Sequence, residues 1–226
     1  MTKIIIFRIA IFTIFLLLSY LLSANYQDMI GFALVLSVGL IHGANDLLII
    51  KKNSKFSSNY SQFWPFFTYV GLVFIGFTFF YLFPSFALIA FIIVSVYHFG
   101  EQHLEAIPIT RSLKNNYRFI SIVSHGIILF TIIFMNNINT VNNVFLSFKI
   151  NFLNSSSLNI ILIIASIVYI STLVINKYLT SFIFSEILFF VLFYFLSLSS
   201  TLILCFSVYF IFFHSILSIK DQVKYI

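Results

Sequence analysis

Four of the five histidines in this chain, His42, His98, His125 and His214, stand inside long apolar runs. An imidazole in hydrocarbon is costly, and ionisable side chains found there usually face a bundle interior and carry function. At the helical rise from the nearest polar boundary, His42, His125 and His214 fall about 12, 10 and 9 Å inward, and His98 about 5 Å. Imidazoles offered at one level by four separate helices suit Fe, Zn, Cu or Ni. The only cysteine, Cys205, excludes a disulfide framework and a thiolate cluster. The donor set is therefore nitrogen, alone or with carboxylate. An interior site of that kind with open positions fits non-haem iron better than closed structural zinc. The alternative is that each ring merely hydrogen-bonds a neighbouring helix.

The residues around these histidines fit supporting roles. Asp46, four residues after His42, shares its helix face. It is placed to accept the far ring N–H of a ligating histidine, and it also suits a plain helix-end charge. Glu101 follows His98 by three residues and is similarly placed near the polar boundary. Glu186 is either an acceptor for a histidine or a partner for Lys177. His103 falls in a charged stretch, 101–116, and reads as solvated. Gly39 and Gly43 bracket His42, Gly126 follows His125, and Gly100 comes two residues after His98. Small residues let helix backbones approach closely, which would draw imidazoles on different helices together.

The elements that must position these groups are membrane helices. The chain has 226 residues, is 61% hydrophobic and 8% charged, and has a mean hydropathy of +1.10. That composition belongs to a polytopic transmembrane helical bundle, all-α, forming a single domain over residues 1–226. Eight spans are expected, at about 4–22, 29–50, 63–82, 85–100, 117–135, 158–175, 180–197 and 199–217. With the N-terminus in the cytoplasm, eleven of the twelve basic residues fall inside and only Lys149 falls outside. Both termini are then cytoplasmic, in the cell (inner) membrane. The first span suits an uncleaved helix, although Lys3 and Arg8 ahead of an apolar segment also suit a signal peptide. The formal charge of +6 is spread over short loops. It marks topology and excludes a nucleic-acid patch. The connection 136–157 mixes asparagines and serines with Val144, Phe145, Phe148 and Ile150, and suits either an interfacial segment or a plain loop.

The stretches around the histidines resemble the Brp/Blh family of membrane-integral β-carotene 15,15′-dioxygenases. The matching runs are Gly39-Leu-Ile-His-Gly-Ala-Asn-Asp46, Tyr97-His-Phe-Gly-Glu101, Ser124-His-Gly126, Ser185-Glu186 and Phe213-His-Ser215. They occur in the family's order over about residues 30–220. The resemblance implies an Fe(II)-dependent enzyme that splits the central double bond of β-carotene with O₂ to give two molecules of retinal. Its iron ligands would be His42, His98 and His214. Its partners would be a lipid-soluble carotenoid, O₂, membrane lipid and a retinal-accepting rhodopsin. The 32 phenylalanines include candidates for lining a polyene tunnel. Two departures stand out. The family's last motif reads approximately His-Ser-x-Arg-His, whereas this chain has His214-Ser-Ile-Leu-Ser218, with Ser218 at the expected second ligand. His125, at the right depth, is a substitute. Family chains also usually continue into further helices beyond the position of Ile226. A non-catalytic relative that binds a carotenoid or retinal is the main alternative. A proton-relay transporter and a b-type haem protein are the others.

Overall fold

The computed structural model describes the backbone of residues 2–53, 64–105, 115–175, 180–216 and 218–219. Among these, every regular element is helical: α1 (Thr2–Leu21), α2 (Ala24–Asn53), α3 (Trp64–Leu82), α4 (Pro84–Glu105), α5 (Asn115–Asn136), α6 (Ile138–Ser147), α7 (Ser155–Ile175), α8 (Thr180–Ser199) and α9 (Leu202–Tyr209). The last runs directly into a π-helical turn, Phe210–Ser215. The protein is an all-α polytopic bundle. Each of the eight expected spans corresponds to one helix, and α6 is the addition, formed within the 136–157 connection. Among the described residues, four helices are long and apolar enough to cross a membrane: Pro84–Glu105, Asn116–Asn136, Ser155–Ile175 and Phe182–Ser199. Their outward faces suit lipid, as does that of α3, where Phe74 and Phe77 stay 70% and 72% exposed.

Local chemistry sets several helix ends. Pro84 occupies the first position of α4, where its missing N–H costs nothing and its fixed φ favours the helix. Thr201 caps α9 by accepting from the Leu204 N–H at 3.3 Å. Gln27 joins three elements. Its Nε2 donates to the Ser19 and Leu22 carbonyls at 2.9 and 3.0 Å, and its Oε1 accepts from the Thr201 N–H at 2.9 Å. One side chain thus satisfies the C-terminal carbonyls of α1 and an N-terminal donor beside α9.

The core lies where α5 is enclosed by α4, α7 and α8, with α9 against α2. Glycine makes the α4–α5 crossing possible. A Cβ on Gly100 would strike the Ile122 carbonyl, and one on Gly126 would strike the Val96 carbonyl. The two backbones are therefore in reciprocal contact, as the placing of these glycines beside histidines suggested. Gly39 and Gly43 lie outside the residues whose side chains are described. Between α5 and α7, the Ser121 hydroxyl donates to Thr172 Oγ1 at 2.8 Å, a bond that is retained because hydrocarbon offers no competing partner.

Candidate functional site

Helix α4 turns one face inward, burying Ser95, Phe99 and His103 at a spacing of four residues together with Gly100 and Leu104. His103 is only 3% exposed. The expectation that it is solvated is therefore wrong. The helix does not end at residue 100 but runs on to Glu105, and its buried stripe carries His103 into the core. Its partner is Glu186 on α8, also buried at 2% exposure.

Glu186 is the hub of a buried charge cluster. Its Oε1 lies 2.8 Å from Arg8 Nη1 on α1, and its Oε2 lies 2.8 Å from His103 Nε2. The Tyr169 hydroxyl on α7 donates to the same Oε2 at 2.8 Å. A carboxylate can only accept, so His103 Nε2 carries the proton in this pair. Arg8 Nη1 also donates to the Ser185 hydroxyl and carbonyl, at 2.9 and 3.1 Å. Its guanidinium carbon sits 4.9 Å from the centre of the Phe189 ring, a cation–π distance. The partner of Glu186 is thus Arg8, with His103 and Tyr169, whereas Lys177 lies outside the described residues. His125 on α5 stacks on His103 with ring centroids 3.9 Å apart and planes inclined by 24°. Its Nδ1 is 3.9 Å from Glu186 Oε2. Both ring nitrogens of His125 are buried without a hydrogen-bond partner.

His103, His125 and Glu186 each offer a donor atom within 4.8 Å of the others, close enough to share a cation. Two features count against one. Stacked rings aim their nitrogens side by side rather than at one point. The Arg8 guanidinium also stands 3.3 Å from His103 Nε2, so a fixed positive charge already compensates the carboxylate. The donor set suits a hydrogen-bonded charge cluster better than a metal.

A second pair of imidazoles forms between α4 and the π-helical turn. His98 and His214 meet edge to face, with centroids 4.7 Å apart and planes inclined by 69°. Two imidazoles on one ion at ordinary metal–nitrogen distances place their centroids about 4.5–5 Å apart, and the spacing of this pair is compatible with that. His214 is buried at 2% exposure and His98 is exposed. The π turn widens the backbone at His214, as such turns often do at functional sites. Phe99 and Phe210 flank the His214 ring at 4.9 and 5.5 Å. The Tyr209 hydroxyl holds the Phe99 segment by donating to its carbonyl at 3.3 Å.

The remaining expected residues divide as follows. His42 lies on α2, which packs against the π-helical turn, but its side chain and that of Asp46 lie outside the described residues. Glu101 accepts from the Tyr97 hydroxyl at 3.1 Å. Ser218 is half-buried in a short helical stretch after the turn. His125, expected as a substitute for a fourth ligand beside His98 and His214, is instead set against His103 and Tyr169.

A family signature described as beta-carotene 15,15'-dioxygenase covers residues 33–225. The chain belongs to that family. Comparison with curated proteins and with solved structures gives no match. Membership in the beta-carotene 15,15'-dioxygenase family supports dioxygenase chemistry of the carotenoid type. The helices long enough to span a bilayer suit a substrate dissolved in lipid. Helix α1, which supplies Arg8, precedes the family-matched region.

Proposed function

We propose that the chain is an Fe(II)-dependent dioxygenase that cleaves the central double bond of β-carotene with O₂, giving two molecules of retinal. The observation that carries this reading is the edge-to-face pair of His98 and His214, inside a chain matched by the family over most of its length. His42, His98 and His214 hold the iron, with Ser218 one turn beyond His214 where the family carries a further histidine. Asp46 and Glu101 support those rings, and Glu186 with His103 braces the helices behind them. Iron, when bound, supplies the redox chemistry that lets O₂ react with a closed-shell alkene. The reaction balances without an external reductant: one C=C bond is replaced by two C=O bonds, and both oxygen atoms come from O₂.

The chain's own residues supply position and dryness. Phe99 and Phe210 wall the His214 ring with apolar surface and keep water from the reacting bond. Tyr209 fixes Phe99 through its backbone. A carotenoid enters sideways from the cell (inner) membrane, in which both termini face the cytoplasm. The retinal leaves to the same lipid phase, where a rhodopsin takes it up.

Expression in β-carotene-producing bacteria tests this. The cells bleach and accumulate retinal, and His42→Ala, His98→Ala or His214→Ala each strip the purified protein of iron. Well-expressed protein in cells of unchanged colour would favour a second reading that Ser218 supports, a non-catalytic relative that binds a carotenoid or retinal.

A further inference from the structure

A lateral groove of about 330 Å³ opens between α2, α4, α5, α6 and α9. Its mouth is formed by the exposed Phe32 and Phe91, and its floor is buried. Among the described residues, every side chain that lines it is apolar. Its distance from the histidines is similar on three helices. On α2, Phe32 and Val35 precede His42 by ten and seven residues. On α4, Leu88 and Phe91 precede His98 by ten and seven. On α9, Ile203 and Phe206 precede His214 by eleven and eight. With Ile92 and Leu202 also in the lining, the groove occupies a band about 9–18 Å from the level of the histidines at the helical rise. Packed aromatic rings stand between the two. Phe206 stacks on Phe210 at 5.8 Å, and Phe210 stacks on His214 at 5.5 Å. In parallel, Phe130 of the groove stacks on Phe99 at 5.8 Å, and Phe99 lies 4.9 Å from His214. At the far end α6 contributes Val141, Val144 and Phe145 to the lining.

From this geometry we infer that the groove receives one arm of a linear polyene and that α6 is the stop for its end ring. The distance from that stop to the histidines then selects the double bond presented for cleavage. The inference deepens the proposed carotenoid reading and rests on it. An entirely apolar, aromatic-walled slot selects an unsubstituted ring end, because a hydroxylated one would leave its hydroxyl without a hydrogen-bond partner. A second groove, about 440 Å³ between α5, α7 and α8, has Tyr169 and Glu186 in its lining. It leads to the charge cluster and serves as the control.

Val144 of α6 is 38% exposed, so Val144→Trp shortens the slot with little burden on the core. Leu88→Trp, on another helix in the same band, provides a second test if the first variant expresses poorly. Ile187→Trp fills the control groove. The assay is chain-length analysis of the aldehydes formed from β-carotene, together with the carotenoid that copurifies in detergent. If the parent cleaves, the slot variants raise the ratio of unequal to equal fragments about tenfold, the scale on which an apolar pocket discriminates by size. Ile187→Trp leaves that ratio unchanged. Equal fragments from both slot variants at the parental rate overturn the inference and leave the dioxygenase reading standing. If the parent binds carotenoid without cleaving it, that reading fails on its own. Loss of copurifying carotenoid from the slot variants alone then still supports the groove, and equal retention overturns it. A parent that retains only lipid and no carotenoid overturns both.

Discussion

Replacing Arg8 by Met tests whether the charge cluster is held by compensation between charges. The substitution keeps the apolar stem of the side chain and removes the guanidinium. Glu186 then loses its contact at 2.8 Å on Oε1, and the Ser185 hydroxyl and carbonyl lose an N–H donor. Only His103 and Tyr169 remain to stabilise a carboxylate that is 2% exposed. Breaking a buried ion pair from one side costs about 3–5 kcal/mol, because the survivor is left charged and buried. At about 2–4 °C per kcal/mol for a chain of this size, the melting temperature in detergent falls by about 6–20 °C. Glu186→Gln alone strands Arg8 and is destabilising by a similar route. The double variant Arg8→Met/Glu186→Gln removes both charges and recovers most of the loss, since a neutral pair often replaces a buried ion pair without penalty. Thermal unfolding of the four proteins closes the cycle, with a coupling energy of at least about 2 kcal/mol expected. A single-variant shift below 1 °C, or strictly additive losses, would refute the reasoning. Iron content is the second readout. It is unchanged in the double variant if the iron is held at His98 and His214, and lost if the cluster is itself the metal site.

Ser218→His restores an imidazole one turn after His214, and iron retention through dialysis against a chelator rises about tenfold or more if a missing ligand limits affinity. A protein that loses iron at the parental rate would show that residue 218 does not reach the metal. Gly100→Ala and Gly126→Ala each push a methyl group into a facing backbone carbonyl. Each costs about 1–3 kcal/mol or more by overpacking, seen as a lower melting temperature. Gly76→Ala, where an added methyl group meets nothing, is the neutral control.

The eight helices were legible because apolar run length reports on helix length directly. Helix α6 was not, since Ile138–Ser147 is too short and too rich in asparagine to read as a span. Its inner face, Val141 and Phe145 at a spacing of four residues, is in keeping with the interfacial alternative for 136–157. The sequence places four histidines at similar depth but does not divide them into two groups. Depth along the membrane normal says nothing of which way a ring points. The signal that separates them lies in α4. His98 and His103 are five residues apart, which on a helix turns them about 140° from one another. They cannot serve the same centre without distortion. Extending the buried stripe Ser95–Phe99 by one more turn assigns His103 to the core, and the glutamate–arginine pair follows from it. In the sequence Arg8 reads only as a topology charge. A buried arginine needs a buried carboxylate, and Glu186 was the one acid placed deep in a late span. Pairing those two facts locates the cluster that His125 stacks against.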